Sequence, residues 1–472
     1  MFDVAVIGGG VVGGMILRQL TKYKLTCVLL EKESDVCACQ SRANSGIVHS
    51  GLDAKEGTLK AKFNVAGNKL MPAVCEELGV KYQNNGSLVV AFNEEEIEIL
   101  KTLKARGEAN GVPGLRLIDK EELKSKERNI SNNAVGALYA PTGGIVCPYG
   151  LTIASIGNAM DNGAALYTDF EVCAIDKREE GFILHSVNGG KVEAKTVINC
   201  AGFASDKIAS LIGDSSFKMG ARRGEYILLA KNQLVNSTLF FTPTAKGKGV
   251  LVTQTVDGNI MLGPTSEECE GNIPTTSASG LDYIISKAKQ MCDNVPFYDT
   301  ITSFAGVRAY CDRHDFVIEQ SKVDNRFINV AGIESPGLTS APAIAEYVVN
   351  ELIGSLMQLI PNESFNGKRE VDFSELTIAQ KNEIIKKDAS FGKLVCKCER
   401  VTEGEVLRAI RQNPPATTID GVKLRTRSGM GRCQGGFCQA RIAEILAKEL
   451  NIPLEQVTKR GKGSEIVMGV SK

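Results

Sequence analysis

A glycine turn close to the N-terminus, placed between two apolar runs, limits this chain more than any other feature. Residues 2–7 (FDVAVI) are a short run of strand formers, and Gly8 to Gly14 follow at once. Met15 to Lys22 read as a helix, and residues 26–30 (TCVLL) as a second buried strand that ends at Glu31. Strand, turn, helix and strand in this order are the start of a βαβ unit, which requires a parallel sheet. Gly8, Gly10 and Gly13 fit G-x-G-x-x-G, with Gly14 behind them. Glycines at this spacing permit a tight turn and let backbone approach a pyrophosphate, which the helix N-terminus attracts. Glu31, at the tip of the second strand, supplies a carboxylate where a ribose hydroxyl is bound. The expectation is an α/β protein with a Rossmann-type dinucleotide-binding domain.

With 472 residues the chain has room for roughly three structural units. Lys and Arg number 55 and Asp and Glu 55, so no global charge draws it to nucleic acid or to an acidic membrane. Residues 4–17 are apolar, but Asp3 precedes them and no basic n-region or small-residue cleavage site is present. No uncharged apolar run reaches the ~18 residues of a membrane span. We expect a cytoplasmic protein without a transmembrane segment, leaving a peripheral membrane contact open, and no nucleic-acid partner.

The middle of the chain is mixed. Residues 94–127 have a charged helical pattern, strand-like runs lie at 170–175, 182–186 and 196–200, and residues 217–265 alternate short strands with glycine turns. A strand at 327–331 is followed by a Gly/Pro/Ser turn and a helix from about Ala341. We place an oxidoreductase core at 1–358. Its cofactor-binding segments are 1–80, 145–215 and 300–358, and an inserted, mostly antiparallel substrate domain takes 81–144 and 216–299. A linker at 359–390, with a helix near 376–387, leads to a small unit at 391–472.

The glycine motif alone does not choose between FAD and NAD. A second small-residue turn after 196–202 (TVINCAG), and a distant strand, turn and helix at 327–345, suit an extended FAD completed by a late loop. Several segments then carry a resemblance: IGGGVVGG at 7–14, SRANSGIVHSGLD at 41–53, RRGEY at 222–226, KGKGVLVTQTVDGNIMLGPT at 246–265, SFAGVR at 303–308 and GIESPGLTSAPAIAE at 332–346. Residues 2–355 resemble the D-amino-acid-oxidase-type flavoproteins, and within them the glycerol-3-phosphate oxidases and dehydrogenases, with L-2-hydroxyglutarate dehydrogenases as near relatives. With the motif, this implies FAD contacts at Gly8, Gly10, Gly13, Gly14, Glu31, Lys32, Ser41, Asn44, Ser45, Val172, Ala201, Gly202, Gly332, Gly337, Leu338 and Thr339.

Alcohol oxidation needs a base within hydrogen-bond reach of the hydroxyl while hydride leaves the carbon. Of the three histidines, His49, His185 and His314, the resemblance matches His49 to the base. A lone histidine is otherwise more often structural. The resemblance also implies that Lys248 in KGKG and Arg308 in SFAGVR are catalytic and bind substrate, and that Ser335 lies beside it. A phosphate or carboxylate substrate needs such fixed cations. The KGKG segment favours glycerol 3-phosphate. Arg222 and Arg223 are weaker candidates, and for any single cation a solvated surface position is the competing reading.

Fourteen cysteines are present, and four gather near the end as Cys396-x-Cys398 and Cys433-x₄-Cys438. Four thiolates suit either zinc or a [2Fe-2S] cluster. Cys37 and Cys39 form a second Cys-x-Cys with no partner pair nearby. The segments VCKCERVTEGE at 395–405 and RTRSGMGRCQGGFCQARI at 425–442 resemble the bacterioferritin-associated-ferredoxin-like domain, which implies a [2Fe-2S] cluster on Cys396, Cys398, Cys433 and Cys438. Gly429, Gly431, Gly435 and Gly436 leave room for backbone N–H groups to reach sulfur.

The whole chain resembles the catalytic subunit of anaerobic glycerol-3-phosphate dehydrogenases. That implies oxidation of glycerol 3-phosphate to dihydroxyacetone phosphate, with electrons passing through the cluster to a partner redox subunit or a quinone system. The alternatives are a dehydrogenase of L-2-hydroxyglutarate or an amino acid on the same fold, and a non-catalytic electron-relay subunit.

Overall fold

The computed structural model describes residues 1–243, 249–271 and 273–469. The N-terminal strand Phe2–Ile7 lies between Cys27–Leu30 and Lys191–Asn199, parallel to both. Phe327–Ala331 continues this parallel layer beside Lys191–Asn199, and Ala165–Tyr167 closes it beside Cys27–Leu30. A hairpin, Val172–Arg178 with Gly181–Ser186, is attached antiparallel. Val4, Ala5 and Val6 have no exposed surface, the burial on both faces that a parallel sheet produces.

The first helix is Val11–Leu20, so it begins four residues before the expected Met15, and Gly13 and Gly14 fall inside it. The early start lets Gly14 meet helix Pro148–Asp161 closely, since a Cβ there would stand 2.6 Å from Ser155 Oγ. Helices Leu59–Glu77 and Gly337–Tyr347 pack against each other on the same side, and a Cβ on Gly67 would overlap the Thr339 carbonyl oxygen.

The second layer is a nine-stranded sheet, antiparallel except where Thr238–Phe241 runs parallel to Ser87–Ala91. Its long pair is Met219–Lys231 with Thr300–Cys311. Thr300–Cys311 therefore belongs to this sheet, although the expected boundary at 300 puts it in the cofactor-binding part. The helical pattern expected over 94–127 is broken. Helix Glu94–Ala109 is capped by Asn93, strand Arg116–Asp119 follows, and a short helix Lys120–Lys126 ends the segment. Positive φ at Gly111 and Gly114, with Pro113 between them, stops the first helix.

After helix Ile378–Lys387, the C-terminal unit has its own core of Val406, Ile410, Val422, Ile442 and Leu446. A capping box formed by Thr402 and Glu405 starts its helix Glu403–Arg411.

Candidate active site and cluster site

One cavity of about 730 Å³ runs from the glycine turn to the nine-stranded sheet. That is within the range of about 300–1,000 Å³ usual for ligand pockets. At the turn, Gly8 has φ +107° and a Cβ there would overlap the Cys200 carbonyl oxygen, while one on Gly13 would overlap the carbonyl of Gly8. Only glycine allows this crossing of backbones. Glu31 is 8% exposed and accepts hydrogen bonds from the N–H of Gly9 (2.7 Å) and of Glu33 (2.9 Å). Burial pushes its carboxyl up, against the opposing pull of those N–H groups. Ser41 Oγ accepts from Val11 N at 2.9 Å, tying residues 40–45 to the helix start.

Gly8, Gly10, Gly13, Glu31, Lys32, Ser41, Asn44, Ser45, Val172, Ala201, Gly202, Gly337 and Leu338 all line this cavity. Three expected contacts do not. Gly14 serves the helix crossing described above. Gly332, at φ +67°, sits against Cys311, whose Cβ a side chain would meet at 2.7 Å. Thr339 is fully buried and accepts the backbone N–H of His49 at 2.9 Å, so it holds the histidine segment.

At the far end, His49 Nε2 and Ser335 Oγ are 3.2 Å apart. Asn64 Nδ2 donates to the His49 carbonyl at 2.6 Å. Arg308 lies on strand Thr300–Cys311 and donates through Nη2 to Thr265 O at 3.3 Å. A Cβ on Gly224 would be 3.0 Å from that Nη2, so glycine leaves the guanidinium its space. Gly306, two residues earlier, allows the strand to reach the Ala43 carbonyl. His49, Arg308 and Ser335 share the cavity wall. Lys248 lies outside the described residues.

Arg222, a weak candidate in sequence, lines the same wall, directly across the strand pair from Arg308. It pairs with Glu268 at 2.7 Å and lies 4.9 Å from the Tyr310 ring. The period of two turns Arg223 the other way, toward Glu225 and Glu267. Lys60 and Glu334, which sequence reasoning missed, form a 2.8 Å ion pair at the cavity edge. Of the remaining histidines, His185 pairs with Asp176 on the outer hairpin, and neither it nor His314 lines the cavity.

The four C-terminal cysteines form two pairs. Cys398 and Cys433 have sulfurs 3.7 Å apart near the surface, and buried Cys438 sits against buried Cys396. N–H groups of Phe437, Gly435 and Gly436 point at the Cys433 sulfur and hold its thiol below the ordinary value. Burial first, then Cys396, pushes Cys438 up to about 12. Four thiolates in two touching pairs suit a two-iron cluster, which takes two thiolates per iron. Cys37 and Cys39 take no part. Cys37 is buried, with its thiol pushed up to about 12 by burial, and Cys39 lines the cavity.

Comparison with known proteins covers both units of the chain. The family described as FAD dependent oxidoreductase is matched over residues 3–351, and the BFD-like [2Fe-2S] binding domain over 394–448. The chain belongs to the FAD-dependent oxidoreductase family, and its cofactors are FAD and a [2Fe-2S] cluster. A glycerol 3-phosphate dehydrogenase of Caloramator mitchellensis is 45% identical over 477 residues, covering 100% of this chain and 99% of that protein. A glycerol 3-phosphate oxidase of Mycoplasma genitalium is 34% identical over 74% of this chain and 94% of its own. The dithionite-reduced L-alpha-glycerophosphate oxidase of Mycoplasma pneumoniae with FAD bound superposes with a TM-score of 0.75 at 31% identity, covering 79% of this chain and 99% of that one. No helix among the described residues is long and apolar enough to cross a membrane.

Proposed function

We propose that this chain oxidises the C2 alcohol of glycerol 3-phosphate to dihydroxyacetone phosphate. The observation that carries the reading is that one cavity is lined both by a histidine ring held at Ser335 and by two arginines paired across one sheet face. Arg308 and Arg222 hold the phosphate, Arg308 by the planar fork that suits such oxyanions. Lys248 is proposed as a third cation. His49 Nε2 takes the C2 hydroxyl proton, with Ser335 Oγ holding ring and hydroxyl in register. When bound, FAD supplies a two-electron acceptor for the C2 hydride, and the [2Fe-2S] centre a one-electron outlet from it. The acceptor beyond the cluster is a partner redox protein or a membrane quinone rather than oxygen. The full-length likeness to a named glycerol 3-phosphate dehydrogenase supports the same substrate.

The test is steady-state turnover with an artificial electron acceptor, offering glycerol 3-phosphate, L-2-hydroxyglutarate and a panel of amino acids. Turnover with glycerol 3-phosphate far above the others is expected. Preference for L-2-hydroxyglutarate would keep the cofactors and overturn the substrate.

A further inference from the structure

The segment after the second strand is gripped from two sides. On the inside it closes on the glycine turn. Glu31 accepts the Gly9 N–H, Cys37 N donates to the Gly9 carbonyl at 2.9 Å, and Val36 stands 3.2 Å from where a Cβ on Gly9 would be. Glu31, Lys32 and Cys37 line the FAD cavity from this loop.

On the outside the same loop is held by the C-terminal unit. Both oxygens of Asp35 accept from Arg425, Nη1 and Nη2 each at 2.8 Å. The Arg425 side chain is 0% exposed, and two more of its donors meet the carbonyls of Pro414 (3.0 Å) and Gly421 (2.9 Å). Ser34 donates to the Arg460 carbonyl at 3.0 Å. Neither Ser34 nor Asp35 lines the cavity.

A buried arginine is stable only while its ionic partner is in place, and removing that partner leaves an uncompensated buried charge. Asp35 is four residues from Glu31 and two from Cys37. A loop released from Arg425 is therefore free to lift from the turn on which the pyrophosphate rests.

We propose that the cluster-binding unit is a clasp on the dinucleotide-binding loop, so that FAD retention and docking of that unit are coupled through the Asp35–Arg425 pair. The inference is independent of the substrate assigned above and requires only that FAD occupies the cavity. By linkage the coupling is reciprocal: FAD bound beneath the loop must also hold the C-terminal unit in place. A chain whose cluster unit is unfolded then holds FAD poorly, which keeps flavin out of molecules that lack an electron outlet.

The experiment is a fluorescence titration of FAD into the deflavinated full-length chain, in the native form and as Asp35→Asn, Arg425→Met and Arg411→Ala. Arg411 forms an exposed ion pair with Glu449 inside the same unit and serves as the control. The two clasp variants are expected to bind FAD about 5- to 150-fold more weakly, the usual range of such couplings. The control is expected to bind as the native chain does. In the native chain, FAD is also expected to slow amide exchange in residues 414–427, a readout that needs no variant to fold. Native FAD affinity in a folded clasp variant, equal weakening in Arg411→Ala, or exchange in 414–427 indifferent to FAD would each overturn the proposal.

Discussion

Arg222 and Arg308 stand directly opposite each other on two antiparallel strands, and both face the cavity. Like charges in this arrangement cost roughly 0.2–1 kcal/mol. Glu268 offsets Arg222, whereas no carboxylate among the described residues pairs with Arg308. The pair makes sense in front of an anion. Arg308→Met is expected to lower kcat/KM for glycerol 3-phosphate by about 2–5 kcal/mol, the usual cost of losing one side of a buried charged pair. Inorganic phosphate should compete with substrate in the native enzyme and lose that effect in the variant, as inhibition kinetics will show.

Glu268 tempers the second arginine. Its hydrogen bond to Arg222 holds the carboxyl below the ordinary value of 4.5. A carboxylate depressed in this way contributes stability above its unfolded value and loses it as pH falls through the folded one. Both partners are partly exposed, so the stability involved is at most about 1 kcal/mol. Melting curves should show Glu268→Gln slightly destabilised at neutral pH and equal to native once acid has protonated Glu268. At neutral pH the same variant should have a lower KM, because Arg222 is freed for the phosphate.

His49 is the proposed base. His49→Asn is expected to reduce turnover about a hundred- to ten-thousand-fold. Bound FAD should keep its absorbance spectrum. Ser335→Ala should cost about 1 kcal/mol, the loss of one hydrogen bond. Rapid-mixing reduction of the flavin by substrate separates these effects from electron exit.

Gly306 lets strand Thr300–Cys311 touch Ala43 beside the cavity. Gly306→Ala forces that contact apart and should destabilise the chain by about 1–3 kcal/mol, the cost of overpacking. Because Arg308 is two residues along, the KM for glycerol 3-phosphate should rise as well. Denaturant melts and steady-state kinetics measure the two effects.

Much of this was legible in sequence because local rules decide it. Gly8 needs a φ that only glycine readily supplies and Gly13 has no room for a Cβ against the Gly8 carbonyl, so the two declared the crossing. The spacing of four cysteines announced a redox or metal centre. What stayed hidden depends on contacts distant along the chain. Arg222 became a cavity residue only through its register with Arg308. Gly14, Gly332 and Thr339 sit in cofactor segments but do not line the cavity: Gly14 packs at a helix crossing, Gly332 against Cys311, and Thr339 holds the His49 backbone. Asp35 and Arg425 are 390 residues apart, and nothing in their neighbourhoods signals a pair. Lys248 falls outside the described residues, and its part in binding phosphate is a proposal for mutagenesis.

The most direct test is an anaerobic titration of the purified protein with glycerol 3-phosphate, following flavin and iron–sulfur absorbance together. Stoichiometric bleaching of the flavin, with reduction of the cluster following from the same substrate, is the predicted result. A flavin band that stays oxidised with glycerol 3-phosphate would contradict the account. If L-2-hydroxyglutarate bleached it instead, the substrate assignment would fall while the two cofactor sites stood.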